Sequence, residues 1–534
     1  MKQRNREGLI FLYCLFVATV CLLICSKSSP LYPINDWTDA NAYLSSGKGM
    51  LAGRVMYRDL YEHKGPLLYA LHALCCMIDS TSFSGVFLME ALAGGLFLLA
   101  AYRLLTLYGA KRSALVVLPL IAMVIYTSFS FQQGDSAEEL CMPMLLWSLY
   151  ELLRWLRLEA PLRMKPRLLV LNGILCGCVL WVKFTMLGFF VPWMLGILLY
   201  HFVKHESKAS FAALGWFLGG IAIATLPWIV YFGINGSIIP WLKTYLYDNI
   251  FLYQDEPALG LFGRAKAMMS SGWDWFTVNL TYTVPLAFGM LWFTFRRHKP
   301  STMLKEANGM HENGDKPARQ PEDRRDESAT VLPWTISFAE KAFIWAMLLM
   351  AALGVFIGGK SYVYYGLILS VFVVLGAVPV CRWLDGLIRQ NSVLWPILLC
   401  ITVLGTVIFC LTTSPNRGDL LKPRAETMQY QFAAIVNQTP DATLLNYGFM
   451  DAGFYTACNV APSVKYFHQT NVHLQEMLDE QIRYITDGVT DYVVTRGKQP
   501  NSIVNHYELV ATADAPAGFW YQHVFLYRRK GLTP

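Results

Sequence analysis

Apolar runs of about 18–22 residues recur along this chain, separated by short polar stretches, and that is the length an α-helix needs to cross the hydrocarbon core of a bilayer. The first, "LIFLYCLFVATVCLLIC", begins at Leu9 and ends at Cys25. Composition agrees: 55% of the 534 residues are hydrophobic and only 15% are charged, against about 25% charged in an ordinary soluble domain. The formal net charge is +7, yet the basic residues gather in the short connecting segments, as the positive-inside rule expects. The charge is therefore a topology signal, and nucleic acid is excluded as the expected partner.

Placing "MKQRNRE" in the cytoplasm sends the first span outward. No small-x-small cleavage site follows it, so it reads as a retained span rather than a signal peptide. Further spans follow near Gly85 to Leu107 and Ala114 to Phe129, through "MPMLLWSLYELLRWL", as two spans between Leu168 and Tyr200, and at Phe211 to Phe232 and Thr277 to Phe295. Two more flank "GGKSYVYYG" and a last one covers Leu394 to Leu411. That makes about 11 transmembrane helices, with Arg112, Arg157, Arg163, Lys165, Arg167 and "RRHK" all on the cytoplasmic side. The expected localisation is the cell membrane, multi-pass, with the N-terminus cytoplasmic and the C-terminal domain extracytoplasmic.

This layout divides the chain into a transmembrane domain over 1–412 and a small extracytoplasmic α/β domain over 413–534. Residues 28–84 form the first external loop. The charged stretch 299–335, without aromatic residues until its end, reads as a disordered cytoplasmic loop. In the C-terminal part, "ATLLNYGF", "DYVVTRG" and "HVFLYRR" read as strands. "NVHLQEMLDEQIRYITDG" reads as an amphipathic helix with Leu474, Met477, Ile482 and Ile485 on its buried side and Gly488 past its end. Most of the 12 cysteines lie inside apolar runs, where they act as small apolar residues. No disulfide framework or cysteine metal site is expected.

Polar groups collect at the outer face: Asp36, Asp39, Arg58, Asp59, His63, Lys64, Asp135, Glu138, Glu139, Lys183 and Lys360. Acids and bases at one membrane face suit a site that handles a phosphate and an acid–base step, although each alone also serves as a helix-end anchor. The stretch "DANAYLSSGKGMLAGRVMYRDLYEHKGPLLY", with Asp39, Tyr43, Gly53, Tyr57, Asp59, His63, Lys64 and Pro66, resembles the first external loop of the GT-C glycosyltransferases. The nearest branch is that of the protein O-mannosyltransferases and the bacterial aminoarabinose transferases. "GDSAEELCMP" resembles their second external loop. "GKSYVYYGLIL" resembles a late segment entering a span, with Tyr364 and Tyr365 but without the family's histidine.

The resemblance implies a hexosyltransferase-like enzyme that moves a sugar from a polyprenyl-phosphate donor to an envelope glycan, lipid or protein acceptor, in contact with membrane lipid. Asp39 is then the expected base, with Glu139 as a second catalytic carboxylate; helix capping is the competing reading for both. Lys64 is the first candidate for the donor phosphate, followed by Arg58, Lys183 and Lys360. Substrate contacts are expected from Asp36, Tyr43, Tyr57, Asp59, His63, Asp135, Glu138, Tyr364 and Tyr365. His63 and Asp59 are weak candidates for a divalent metal; no cofactor is otherwise implied. Trp241, Tyr245, Tyr247 and Tyr253 read either as a groove for isoprenoid or sugar or as an interfacial aromatic belt. The alternative function is a transporter or flippase of lipid-linked glycans, which would be expected to carry internal repeats.

Overall fold

The computed structural model describes residues 2–109, 111–159, 163–253, 260–296, 336–360, 362–391, 393–472, 474–496, 501–515 and 522–532. The stretch read as a cytoplasmic loop, 299–335, lies outside the described residues.

Every stretch read as a span is helical. In chain order the bundle is built from α1 (Lys2–Cys25), α4 (Ser84–Tyr108), α5 (Lys111–Tyr126), α6 (Ala137–Arg154), α7 (Pro166–Val182), α8 (Phe190–Val203), α9 (Ser207–Ile234), α12 (Leu280–Phe295), α13 (Phe338–Phe356), α14 (Val373–Gln390) and α15 (Leu394–Thr413). Among the described residues, 7 helical segments are long and apolar enough to cross a membrane. The count reaches 8 if α11 (Leu261–Val278), which follows the short α10 (Ile238–Leu242), and α12, which meets α11 at a 106° bend, form one broken span. The helices α5 and α7 are shorter, and the carboxylates at the start of α6 dilute its apolar content. The chain is a polytopic helical membrane protein.

Close helix contact is bought by small residues. A Cβ on Gly173 would sit 2.9 Å from the Cα of Gly220, so α7 and α9 touch backbone to backbone there.

The segment between α1 and α4 is compact. It folds into α2 (Thr38–Leu51) and α3 (Pro66–Ile78), packed against one another and joined by the Gly53–Gly65 loop. Pro66 opens α3 at a position where the absent N–H costs nothing. Nearly all of α2 is buried, although it carries Asp39, Asn41, Ser45, Ser46 and Lys48. The reason is that the C-terminal region sits on it.

That region begins after α15 and holds a four-stranded sheet in the order β1-β2-β4-β3. The strands β1 (Leu444–Tyr447) and β2 (Tyr492–Arg496) are parallel; β4 (His523–Arg529) is antiparallel to β2 and to β3 (Tyr507–Asp514). Strand β3 has no counterpart in the sequence reading. The amphipathic helix covers Gln475–Thr486 and buries Met477 and Ile485, whereas Ile482 is 39% exposed, a correction to its expected face.

The two parts are joined by polar contacts. Ser45 donates to Asp451 Oδ2 at 3.0 Å, Lys48 to the Tyr455 carbonyl at 3.3 Å, and the Tyr61 amide to the Lys465 carbonyl at 2.9 Å. Asn416 ties the linker down by donating to the Cys25 carbonyl (2.7 Å) and the Gln132 carbonyl (2.8 Å). The first loop, the second loop and the C-terminal region thus meet at one end of the bundle.

Candidate functional site

Asp39 occupies the first turn of α2, but Trp37 is the N-cap and no side chain caps the helix. Capping therefore does not account for Asp39. Its carboxylate is 5% exposed, and Oδ2 accepts from the hydroxyls of Tyr43 (3.2 Å) and Tyr364 (3.0 Å). Tyr43 lies one helical turn along α2, as i and i+4 residues do. Tyr364 arrives from the 3₁₀ segment Val363–Phe372 that leads into α14. Burial first, and the Asp39 charge second, push the Tyr43 phenol well above its ordinary range, so it stays a donor.

Lys64 lies in the loop before α3, 6% exposed, its Nζ 3.0 Å from His63 Nε2. Burial pulls its pKa down, but Asp39, then Tyr253, Glu62 and Glu138, outweigh burial and leave it above the ordinary lysine value. Lys64 stays charged. Its backbone is fixed by two phenols: Tyr57 donates to its carbonyl at 2.7 Å, and its amide donates to Tyr69 at 2.7 Å.

Lys183 follows the last residue of α7 and pairs with Glu138 in the first turn of α6. Its Nζ sits 3.6 Å from the centroid of the Tyr365 ring and 5.5 Å from that of Tyr364. Tyr365 exchanges a hydrogen bond of 3.1 Å with Tyr253, over whose ring Lys360 lies at 4.8 Å. Asp39, Lys64, Lys183, Glu138, Tyr43, Tyr364 and Tyr365 thus form one buried constellation, with His63 and Tyr253 at its edge (ring centroids 5.3 Å apart).

Other expected site residues are engaged elsewhere. Asp36 pairs with Lys27 at 2.8 Å, and Lys27 also holds Asp419 at 2.6 Å, which closes the linker over α1. Arg58 and Asp59 pair with each other at 2.8 Å on the rim, while Asp59 accepts from the Val55 amide and shapes the turn. Asp135 is bound through both oxygens to His72 Nε2, at 3.0 Å. Glu139 accepts from the Asp135 amide at 3.0 Å. Trp241 and Tyr245 are buried against Trp181, and Tyr247 is half exposed.

Glu62, His72, Glu90 and His468 were not singled out from the sequence. Glu62 Oε1 lies 3.1 Å from His63 Nδ1, and Oε2 lies 3.5 Å from His468 Nε2 in the C-terminal region. Burial would raise the Glu62 carboxyl, but His63, His468 and Lys64 hold it well below the usual range. Glu62 sits inside the quoted "YEHKGP", so a carboxylate beside the site lysine was available as a signal. Among the described residues no group of three or more His, Cys, Asp and Glu side chains is placed to hold a metal ion. Asp59, bound to Arg58, does not join His63.

Residues 3–268 match the family model described as the putative competence-induced protein Ccs4 N-terminal domain. No curated protein matches the sequence. Among solved structures, ArnT from Cupriavidus metallidurans bound to undecaprenyl phosphate superposes with TM-score 0.59 and 10% identity, covering 97% of this chain and 98% of that one. The apo state of the same protein gives TM-score 0.57 and 11% identity over 98% of both chains. The fold is the GT-C fold. The superpositions take in nearly all of this chain.

Proposed function

We propose that this protein is a membrane glycosyltransferase that moves a sugar from a polyprenyl-phosphate carrier to a hydroxyl of a cell-envelope acceptor. The observation that carries this reading is the Asp39 carboxylate, held by two phenol hydroxyls and buried beside Lys64 and Lys183. A transferase of this kind needs a base for a weak hydroxyl nucleophile and cations for a phosphate leaving group, within reach of lipid. The superposition on ArnT, a protein bound to undecaprenyl phosphate, supports the lipid donor.

In the proposed reaction the acceptor oxygen attacks the anomeric carbon from the face opposite the phosphate, and the configuration inverts. As the new C–O bond forms, the acceptor proton passes to Asp39. The bond from the anomeric carbon to the phosphate oxygen breaks, and the charge released on the polyprenyl phosphate is met by Lys64 and Lys183. Tyr43 and Tyr364 keep the carboxylate aimed, and Glu138 holds Lys183 in place over the Tyr365 ring. Basic connecting segments at the opposite end of the bundle support a site at the extracytoplasmic face, with the N-terminus in the cytoplasm. A divalent metal at His63 and Asp59 is no part of this reading, because Asp59 is held by Arg58 and, among the described residues, no group of three or more His, Cys, Asp and Glu side chains is placed to hold a metal ion.

The test is release of polyprenyl phosphate by purified protein in lipid, with a panel of polyprenyl-phosphate sugars and crude envelope acceptors. Sugar-dependent release that is lost in Asp39→Asn supports the reading. Movement of lipid-linked sugar across vesicles without release of polyprenyl phosphate replaces it with transport.

A further inference from the structure

A second group of acidic side chains is buried near Asp39, and the proposed reaction uses none of them. Glu90 on α4, Asp135 in the second loop and Glu139 on α6 are 0%, 0% and 3% exposed. The Asp135 amide donates to both glutamates, at 2.7 Å to Glu90 Oε1 and 3.0 Å to Glu139 Oε2, which brings the two carboxyl groups together on one N–H. Ser26 lies 3.0 and 2.9 Å from the two Glu90 oxygens.

A charge count follows from the partners. His72 has Nδ1 2.7 Å from the Leu68 carbonyl and Nε2 3.0 Å from both Asp135 oxygens. Both ring nitrogens face acceptors, so the ring is an imidazolium and balances Asp135. Among the described residues the other titratable groups facing the glutamates are Cys75 on α3 and Tyr126 on α5, neither of them a cation. Lys27, next to Ser26, is committed to Asp36 and Asp419. Two carboxylates in contact, dry and without a cation, cannot both be ionised. The Glu139 Oε1 atom is buried without a hydrogen-bond partner, which suits the carbonyl oxygen of a neutral acid far better than half of an anionic charge.

We propose that Glu90 and Glu139 share a proton, and that this neutralised pair is the positioning element that holds the second loop and the start of α6, and with it Glu138, against Lys183. The loop needs such a hold because its backbone is in the left-handed region at Gln132 (φ 56°), Gly134 (φ 87°) and Asp135 (φ 63°). Gly134 has no alternative: a Cβ there would collide with Ser26 Oγ and Glu90 Oε1. Glu139 is by this account a positioning residue, not the second catalytic carboxylate that the sequence suggests.

The positioning half of the inference rests on the transferase reading; the proton-sharing half does not. Infrared difference spectra of protein with isotope-labelled glutamate read the proton directly, without any donor. At neutral pH a protonated-carboxyl C=O band is expected in the wild type and in Asp39→Asn, and its loss is expected in Glu90→Gln, where Glu139 can ionise against an amide donor. A wild type without the band, or a band unchanged in Glu90→Gln, overturns the sharing. In the release assay Glu90→Gln is expected to stay within about twofold of wild type and to keep its activity to higher pH, because an amide has no proton to lose. Glu90→Leu, which can hold neither the Asp135 amide nor a proton, is expected to lose at least about tenfold in kcat. An alkaline limb unmoved by Glu90→Gln overturns the positioning role even if Glu90→Leu fails to fold. If no donor is turned over by the wild type, the transferase reading fails while the infrared band still decides the proton.

Discussion

Each end of the bundle buries a cation against a glutamate beneath a tyrosine, and the two arrangements differ in what they leave unused. At the basic end Arg157 Nη1 meets Glu340 Oε1 at 2.9 Å, with the guanidinium 4.3 Å from the centroid of the Tyr108 ring. Tyr108 donates to the same oxygen at 3.0 Å, and Glu340 Oε2 accepts from the Ser337 amide at 2.8 Å in a capping box that starts α13. Both oxygens of Glu340 are used by the fold. At the other end Lys183 meets Glu138 Oε1 over Tyr365, but Glu138 Oε2 is buried without a hydrogen-bond partner. A buried acceptor left open costs about 1–3 kcal/mol. A fold that fills its glutamate at one end and leaves one open at the other is holding capacity for something that arrives.

The largest expected effect tests that contrast directly. Asp39→Asn keeps the size of the side chain but cannot take a proton, and polyprenyl phosphate release is expected to fall by about 10²–10⁴-fold. The thermal midpoint of the purified variant should stay close to wild type, since an amide oxygen still accepts from Tyr43 and Tyr364. An active Asp39→Asn would move the base elsewhere and remove the central reason for reading this end as catalytic.

Next come the two cations. Lys64→Ala is expected to lose about 10²–10³-fold in release per folded molecule, as removal of a preorganised charge does. Arg157→Met should do the reverse. It leaves Glu340 buried without its cation, which costs about 3–5 kcal/mol of stability, while the folded fraction keeps its specific activity. Thermal unfolding and single-turnover release measured on both variants sharpen the comparison. If Arg157→Met lowers the chemical rate of folded protein, the two ends are coupled and the division between a structural pair and a working pair breaks.

What could be read from the sequence follows the same division. The spans were legible because hydrocarbon demands long apolar helices, and the strands β1, β2 and β4 because they are short runs built mainly of aliphatic and aromatic residues. Strand β3, "YELVATAD", alternates poorly and carries two alanines, so its pairing with β4 had to come from the sheet. In the site, Asp39 and Lys64 stood out through the spacing of one contiguous stretch. Partners that close the site come from far along the chain: Tyr364 to Asp39, Lys183 to Glu138, His468 to Glu62. Single-sequence spacing carries no information about such contacts. Glu90 and His72 were hidden for a related reason, since one polar residue inside an apolar helix looks the same whether it is satisfied by packing or by a cluster.

A smaller effect is expected from Tyr364→Phe, which removes one of the two hydroxyls on Asp39. A single hydrogen bond to a charged group is worth about 1.5–3 kcal/mol, and part of that is recovered when Tyr43 remains, so a drop of about 5–20-fold in kcat is expected with KM little changed. A drop as large as that of Asp39→Asn would make Tyr364 a reacting group rather than an aiming one.

The smallest effect is expected at Arg58, and it is informative because the sequence placed Arg58 with the phosphate-binding cations. Its side chain is 44% exposed, paired with its neighbour Asp59, and donates to the Asn235 carbonyl at 2.8 Å. Solvent screens such a pair, and exposed ion pairs contribute little to stability. Asp59 also keeps its bond from the Val55 amide when Arg58 is removed, so the turn that carries Lys64 stays in place. Arg58→Ala should therefore leave both release kinetics and thermal stability unchanged. A tenfold rise in KM for the lipid donor would instead put the phosphate on the exposed rim of the loop, with Lys64 and Lys183 serving the fold as Arg157 does at the far end.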